Sequence, residues 1–80
     1  MDRIRDYLLN DEGFIEVKDN SVYLLTVPYE NEFMVILDED KGQALVSSKT
    51  FKGNDLTSIP LNDDLELFKT TLKNFCYRGL

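Results

Sequence analysis

The spacing of apolar and polar positions changes twice along the chain. Ile4, Tyr7 and Leu8 recur at the i, i+3, i+4 spacing of one helix face, and Gly13 is a suitable residue to end that helix. From residue 14 the pattern becomes that of β-strands. Four segments rich in β-branched and aromatic residues are separated by turn-forming residues: 14–18, 22–29, 33–37 and 43–51.

The last third of the chain returns to a helical spacing. Residues 52–61 are rich in turn formers and predict a connection, which Leu56 and Ile59 would anchor to the core. Asn62 or Asp63 then caps a second helix. Its apolar stripe consists of Leu65, Phe68, Leu72, Phe75 and Cys76. The sequence therefore predicts one α+β domain over residues 1–80, ordered helix, four-stranded antiparallel meander, helix, with the first and last strands at the sheet edges.

The two central strands are apolar on both faces, which raises a packing problem. If Glu30 and Asn31 form the loop between them, Leu25 and Val27 share one face with Met34 and Ile36. Antiparallel sheets of this size usually keep one face polar for water, so something must cover the second face. We consider four coverings: one helix on each face, the 52–61 segment folded over the sheet, curling into a half-barrel, or another protein chain. That other chain would be either a second copy or a different partner.

Composition and charge narrow the classes of partner. The chain has 80 residues, fifteen of them acidic and nine basic, and its net charge is −6. Direct nucleic-acid binding is not expected, because phosphate recognition needs clustered Lys and Arg. The longest apolar runs have five residues, far fewer than the roughly twenty needed to span a bilayer, so no membrane partner is predicted. Cys76 is the only cysteine, which excludes an internal disulfide and favours a reducing, cytoplasmic location.

Most catalytic and metal-binding chemistry has no suitable residues here. The chain contains no histidine, so it cannot form a Ser/His/Asp or Cys/His site, and a structural zinc site is not expected. The four glycines are too scattered for a phosphate-binding loop. Residues 38–42, DEDKG, predict a hairpin turn, because a calcium loop starting at Asp38 would need glycine at Gln43 and glutamate at Lys49. We expect no enzyme, no cofactor and no metal, and we interpret Cys76 as a core residue.

These patterns favour a non-catalytic protein–protein interaction module: a small acidic adaptor, chaperone-like protein or inhibitor. The predicted apolar contact surface consists of Tyr23, Leu25, Val27, Tyr29, Met34 and Ile36. The acidic residues expected to steer it toward a basic surface are Glu30, Glu32, Asp38, Glu39 and Asp40. The alternative is a phage-type inhibitor or nucleic-acid charge mimic, in which acidic residues at 30–32, 38–40 and 63–66 would block the basic groove of another protein. An enzyme would require a pocket that gathers carboxylates and tyrosines.

Overall fold

Two helical segments and a five-stranded antiparallel sheet make up the part of the chain that the structure describes. The computed structural model describes residues 2–19, 21–27, 31–50, 53–62 and 64–77. In chain order the elements are α1 (Asp2–Asp6), a π-helical segment (Tyr7–Asp11), β1 (Ile15–Lys18), β2 (Val22–Val27), β3 (Asn31–Asp38), β4 (Gln43–Thr50), β5 (Gly53–Pro60) and α2 (Leu65–Tyr77). The strands lie in the order β1-β2-β3-β4-β5, and each pairs antiparallel with its neighbours.

The predicted α+β class is confirmed, but the predicted number of strands is wrong. Residues 53–60, expected to be a connection, form β5 and pair along the whole of β4. Asn, Asp, Ser and Pro have low strand propensity, yet the backbone groups of β4 gain partners from this segment, so tertiary pairing overrides local preference. Ile59 is buried in the core as predicted, whereas Leu56 is 70% exposed. β4 is therefore an interior strand, and β1 is an edge strand as predicted.

One face of the sheet carries the core. In β3, Phe33, Val35 and Leu37 are buried and alternate with more exposed neighbours. The side chains that surround them on β2, β4 and β5 are Tyr23, Ala44, Val46 and Ile59. The helical segments cover this face with Ile4, Tyr7, Leu8, Phe68, Leu72 and Cys76. The Tyr7 and Phe68 rings meet edge to face at 6.4 Å between centroids, so both helical segments belong to one layer on the same side of the sheet.

The N-terminal helical segment widens from α to π geometry before it ends. The Glu12 amide donates to the Tyr7 carbonyl at 3.1 Å, and the Phe14 amide donates to the Leu8 carbonyl at 2.8 Å. Gly13 lies between them with φ 79°, a left-handed conformation that glycine adopts at little cost. The predicted helix end at Gly13 is confirmed, and the turn brings Phe14 into the core beside the helix.

The second helix begins one or two residues later than the predicted caps, Asn62 or Asp63, would place it, and it buries the predicted stripe. The Asp64 carboxylate accepts the Leu67 amide at 2.9 Å, which is the bond an N-cap makes to the third helical residue. Asn62 accepts the Asp64 amide at 2.9 Å and supports the cap rather than forming it, and Asp63 lies outside the described residues. Of the predicted stripe, Phe68, Leu72 and Cys76 are buried and Leu65 and Phe75 pack partly buried against them.

Candidate functional site

The strand register divides the predicted contact residues between the two faces of the sheet. Val27 pairs with Asn31 and Leu25 with Phe33, so residues 28–30 connect the strands rather than Glu30 and Asn31. The observed register differs from the predicted one by an odd number of residues, which moves one strand's side chains to the opposite face. The predicted grouping of Leu25 and Val27 with Met34 and Ile36 is therefore wrong.

Two of the predicted contact residues belong to the inner, helix-covered face. Tyr23 has no exposed surface, and its hydroxyl donates to the Glu16 carboxylate at 3.1 Å. Burial first and the neighbouring Glu16 second raise the pKa of Tyr23. Leu25 is partly buried against the core cluster. These side chains support the sheet from its inner side, and the predicted Tyr29 and Glu30 lie outside the described residues, as does the side chain of Val27.

The opposite side of the sheet, which we call the outer face, has two rows of mainly apolar side chains across the strands. Cross-strand pairing defines the first row as Lys18, Val22, Ile36, Leu45 and Ser58. It defines the second row as Ile15, Leu24, Met34, Ser47 and Leu56. Polar residues predominate in the flanking rows, which are Thr26, Glu32, Lys49 and Asn54 at one end and Asp38, Gln43 and Pro60 at the other. An apolar centre with polar ends therefore spans the whole width of the sheet.

The outer face is open to solvent in the described part of the chain. Ile15 is 68% exposed at one edge and Leu56 is 70% exposed at the other, while Ile36 is 36% exposed near the centre. Val22, Leu24, Met34 and Leu45 are partly exposed between them. Two of the predicted coverings are wrong, because both helical segments lie on the inner face and residues 53–60 are a strand of the sheet itself. Within the described ranges β1 and β5 stay unpaired with each other, so the sheet is not closed.

The acidic turn between β3 and β4 is only partly available as a charged surface. Asp38 accepts the Lys41 amide at 3.1 Å, which stabilises the turn. Glu39 accepts a charge-assisted hydrogen bond from Arg5 at 2.7 Å, which ties the turn to α1. Asp40 is exposed beside the cation of Lys41. The remaining predicted acidic residue, Glu32, faces Lys49 across the strand pair on the outer face.

The single thiol of the chain lies in the core, on the apolar stripe of α2. Cys76 is buried, and desolvation, with a smaller effect of Glu12, raises the pKa of its thiol to about 12, so little nucleophilic thiolate forms near neutral pH. Across the residues that the structure describes, no three potential metal-ligating side chains lie together, and no helix has the length and apolar character needed to cross a membrane.

Comparison of the chain with known protein families, with curated proteins and with solved structures found no match. The outer face is the candidate functional site, because it combines exposed apolar area with a regular backbone scaffold. It includes four of the predicted contact residues, Glu32, Met34, Ile36 and Asp38. The sequence did not single out the rest of its apolar part, which consists of Ile15, Val22, Leu24, Leu45 and Leu56. Only the cross-strand register brings these side chains together.

Proposed function

We propose that this chain is a small non-catalytic protein–protein interaction module that binds protein through its outer face. The observation that carries the proposal is the placement of both helical segments on the inner face, which leaves the second apolar face of the sheet without a cover in the described residues. Exposed apolar patches that extend across a whole sheet are uncommon in monomeric proteins and mark interaction sites. Adaptor, chaperone-like and inhibitor roles all use such a surface.

The layout of the outer face supports this mode of binding. Protein interfaces have an apolar centre surrounded by a polar rim, and the two central rows between polar end rows have that arrangement. Ile15, Ile36 and Leu56 expose the most apolar surface of these rows. Fully burying one exposed aliphatic side chain stabilises a complex by about 1.5–3 kcal/mol, so several together can outweigh the loss of translational and rotational freedom on association.

Of the predicted residues, Met34 and Ile36 are proposed as apolar contacts and Glu32 and Asp38 as rim contacts. Tyr23 and Leu25 have a supporting role, because they pack beneath the outer face and fix its shape. A basic partner would meet a weaker acidic field than the sequence predicts, since Arg5 binds Glu39 and Lys49 lies opposite Glu32. The same pairings disfavour the charge-mimic alternative, which needs an uninterrupted acidic stripe.

The outer face can be tested with two variants that carry the same change in charge. Ile36→Glu places a carboxylate at the centre of the outer face, and Leu67→Glu places one on α2, where Leu67 is 49% exposed away from that face. Immobilised wild-type chain and both variants are incubated with extract of the source cells, and retained proteins are compared by mass spectrometry. Circular dichroism and urea unfolding establish that each variant is folded.

We expect wild type and Leu67→Glu to retain the same proteins and Ile36→Glu to lose them, because a buried unpaired carboxylate is costly at an apolar interface. Identical retention by all three would overturn the proposal. The charge-mimic alternative predicts a different result: binding would survive Ile36→Glu and would be lost with Asp40→Lys and with increasing salt.

A further inference from the structure

Resting on the proposed function, we infer that the protein bound at the outer face is a second copy of this chain, packed sheet against sheet as a two-fold dimer. Three observations carry the inference: the charge balance of the outer face, its area, and the way the two edge strands end. The charge balance distinguishes a second copy from a basic partner, the area bears on whether the face can hold a dimer, and the edge strands disfavour association edge to edge. In such a dimer the two outer faces would form a shared apolar layer about 10 Å thick.

The charge balance of the outer face suits self-association. The chain as a whole has a net charge of −6. The described outer face nevertheless has two basic residues, Lys18 and Lys49, and two acidic ones, Glu32 and Asp38. In a two-fold interface each patch meets its own copy, so a patch of one sign would repel itself. Because the outer face is neutral, two copies of this strongly acidic chain can approach each other there without repulsion. A surface adapted to a basic partner would instead be acidic.

The area of the outer face is close to the smallest that a specific dimer interface needs. Five strands spaced about 4.8 Å apart, with four to eight residues rising about 3.3 Å each, give a face of about 550 Å² in projection. Two such faces, rougher than their projection, would bury somewhat more than about 1,100 Å² in total, close to the lower limit of about 1,200 Å² for specific interfaces. One face is roughly a tenth of the 5203 Å² accessible surface of the chain, the usual share for a small protein.

The edges of the sheet disfavour the other way in which two sheets associate. β1 has only four residues, and its register shifts between Glu16 and Lys18, so its free edge is short and irregular. β5 has the longer free edge, but it ends at Pro60, which has no backbone donor, and it includes Asp55. Features of this kind discourage edge-to-edge pairing, so of the two ways in which sheets associate, packing through the outer face is favoured.

Sedimentation analysis over a micromolar-to-millimolar range tests the inference directly. We expect wild type and Leu67→Glu to form a dimer, and Ile36→Glu and Leu45→Glu, which are cross-strand neighbours on the outer face, to remain monomeric. Each dimer of such a variant would bury two unpaired carboxylates, so the dissociation constant should rise by about a hundredfold or more. A dimer that both outer-face variants leave intact would overturn the inference, because association would then use another surface.

A second measurement avoids placing charge in the interface. Ser47→Cys in a Cys76→Ala background puts one thiol at the centre of the outer face, and Leu67→Cys in the same background puts one on α2. For a dimer, the alkylation rate at position 47 should fall several-fold between dilute and concentrated protein, while the rate at position 67 stays constant. A constant rate at position 47 would contradict a dimer through this face.

The inference and the proposed function can fail separately. In one outcome the wild type is monomeric but retains a protein from extract, and Ile36→Glu abolishes that retention. This result would overturn the inference that the partner is a second copy and would keep the proposed function. A monomeric wild type whose retained proteins do not depend on Ile36 overturns both. A dimer that Ile36→Glu and Leu45→Glu dissociate supports both, since the outer face then binds protein and the protein is this chain.

Discussion

The inner and outer faces of β3 differ less in composition than in what packs against them. Phe33, Val35 and Leu37 on the inner face are at most 5% exposed, whereas Met34 and Ile36 on the outer face are partly exposed although they are also apolar. The difference comes from the helical layer, which covers only the inner face. Apolar composition therefore sets how much surface a strand can bury, and the placement of other elements decides which part is buried within the chain.

The largest expected difference between the two faces is in stability. Phe33→Ala should lower the free energy of unfolding by about 3–5 kcal/mol, because it removes a fully buried ring and leaves a cavity. Met34→Ala, one residue away on the outer face, should cost under about 1 kcal/mol in the monomer, since the side chain is already partly in water. Urea unfolding of dilute protein measures both values.

The dilute condition matters because a dimer through the outer face would add its own stability to the wild type. Equal losses in the two variants at low concentration would contradict the distinction between the faces. If Phe33→Ala does not fold, Val35→Ala and Ile36→Ala give the same comparison with a smaller cavity. Val35 has no exposed surface, and Ile36 is its neighbour on the opposite face.

The second comparison concerns a thiol on each side of the sheet. Burial raises the pKa of Cys76 from its ordinary value of 9.0 to about 12, so the folded chain holds this proton more tightly than the unfolded chain does. The resulting stability is fully present below pH 9 and is lost as pH rises toward 12. Wild type should therefore lose stability between pH 9 and 11 more steeply than Cys76→Ala, by up to about 1.4 kcal/mol per pH unit.

A control variant and the cancellation of the Tyr23 effect isolate the contribution of Cys76 to the pH dependence of stability. Met34→Cys in the Cys76→Ala background has one thiol on the outer face, and its alkaline slope should match that of Cys76→Ala because this thiol is not fully desolvated. Burial raises the pKa of Tyr23 above 10.0, so Tyr23 also lowers stability in the upper part of the pH 9–11 range. This loss of stability is the same in all three proteins and cancels in the comparison. Identical slopes for wild type and Cys76→Ala would contradict the burial of Cys76.

The sequence predicted those parts of the fold that depend on local spacing. The helix end at Gly13 and the stripe on α2 follow from helical periodicity and glycine conformation, and both are confirmed. β5 was missed because its strand character comes from pairing with β4 rather than from its own residues. The N-cap was misplaced because the choice among neighbouring Asn and Asp residues depends on one side-chain rotamer, which the Asp64 to Leu67 hydrogen bond reveals.

The sequence predicted that the candidate site would be an apolar sheet face, but not which residues form it. Apolar runs in β2 and β3 require that both faces of the sheet be apolar, and the outer face has this character. The members of each face depend on the register between β2 and β3, which the spacing of apolar residues does not fix. The observed register differs from the predicted one by an odd number of residues, so Leu24 rather than Leu25 shares a face with Met34. The exposed Leu56 entered the site only because β5 joined the sheet.

The smallest effect expected comes from the helical layer that covers the inner face. Asp64→Ala removes the acceptor of the Leu67 amide at the start of α2 and should lower the free energy of unfolding by about 1 kcal/mol. Glu66→Gln is the matched control, because it also removes one negative charge near the start of α2. The Glu66 carboxylate pairs with Lys69 at 3.6 Å and its side chain is 83% exposed, so this change should cost under about 0.5 kcal/mol. Because α2 lies on the inner face, neither change should alter the dissociation constant of the proposed dimer. If Asp64→Ala is fully folded but has a higher dimer dissociation constant, the helical layer must influence the shape of the outer face through the sheet. The two faces would then not be independent.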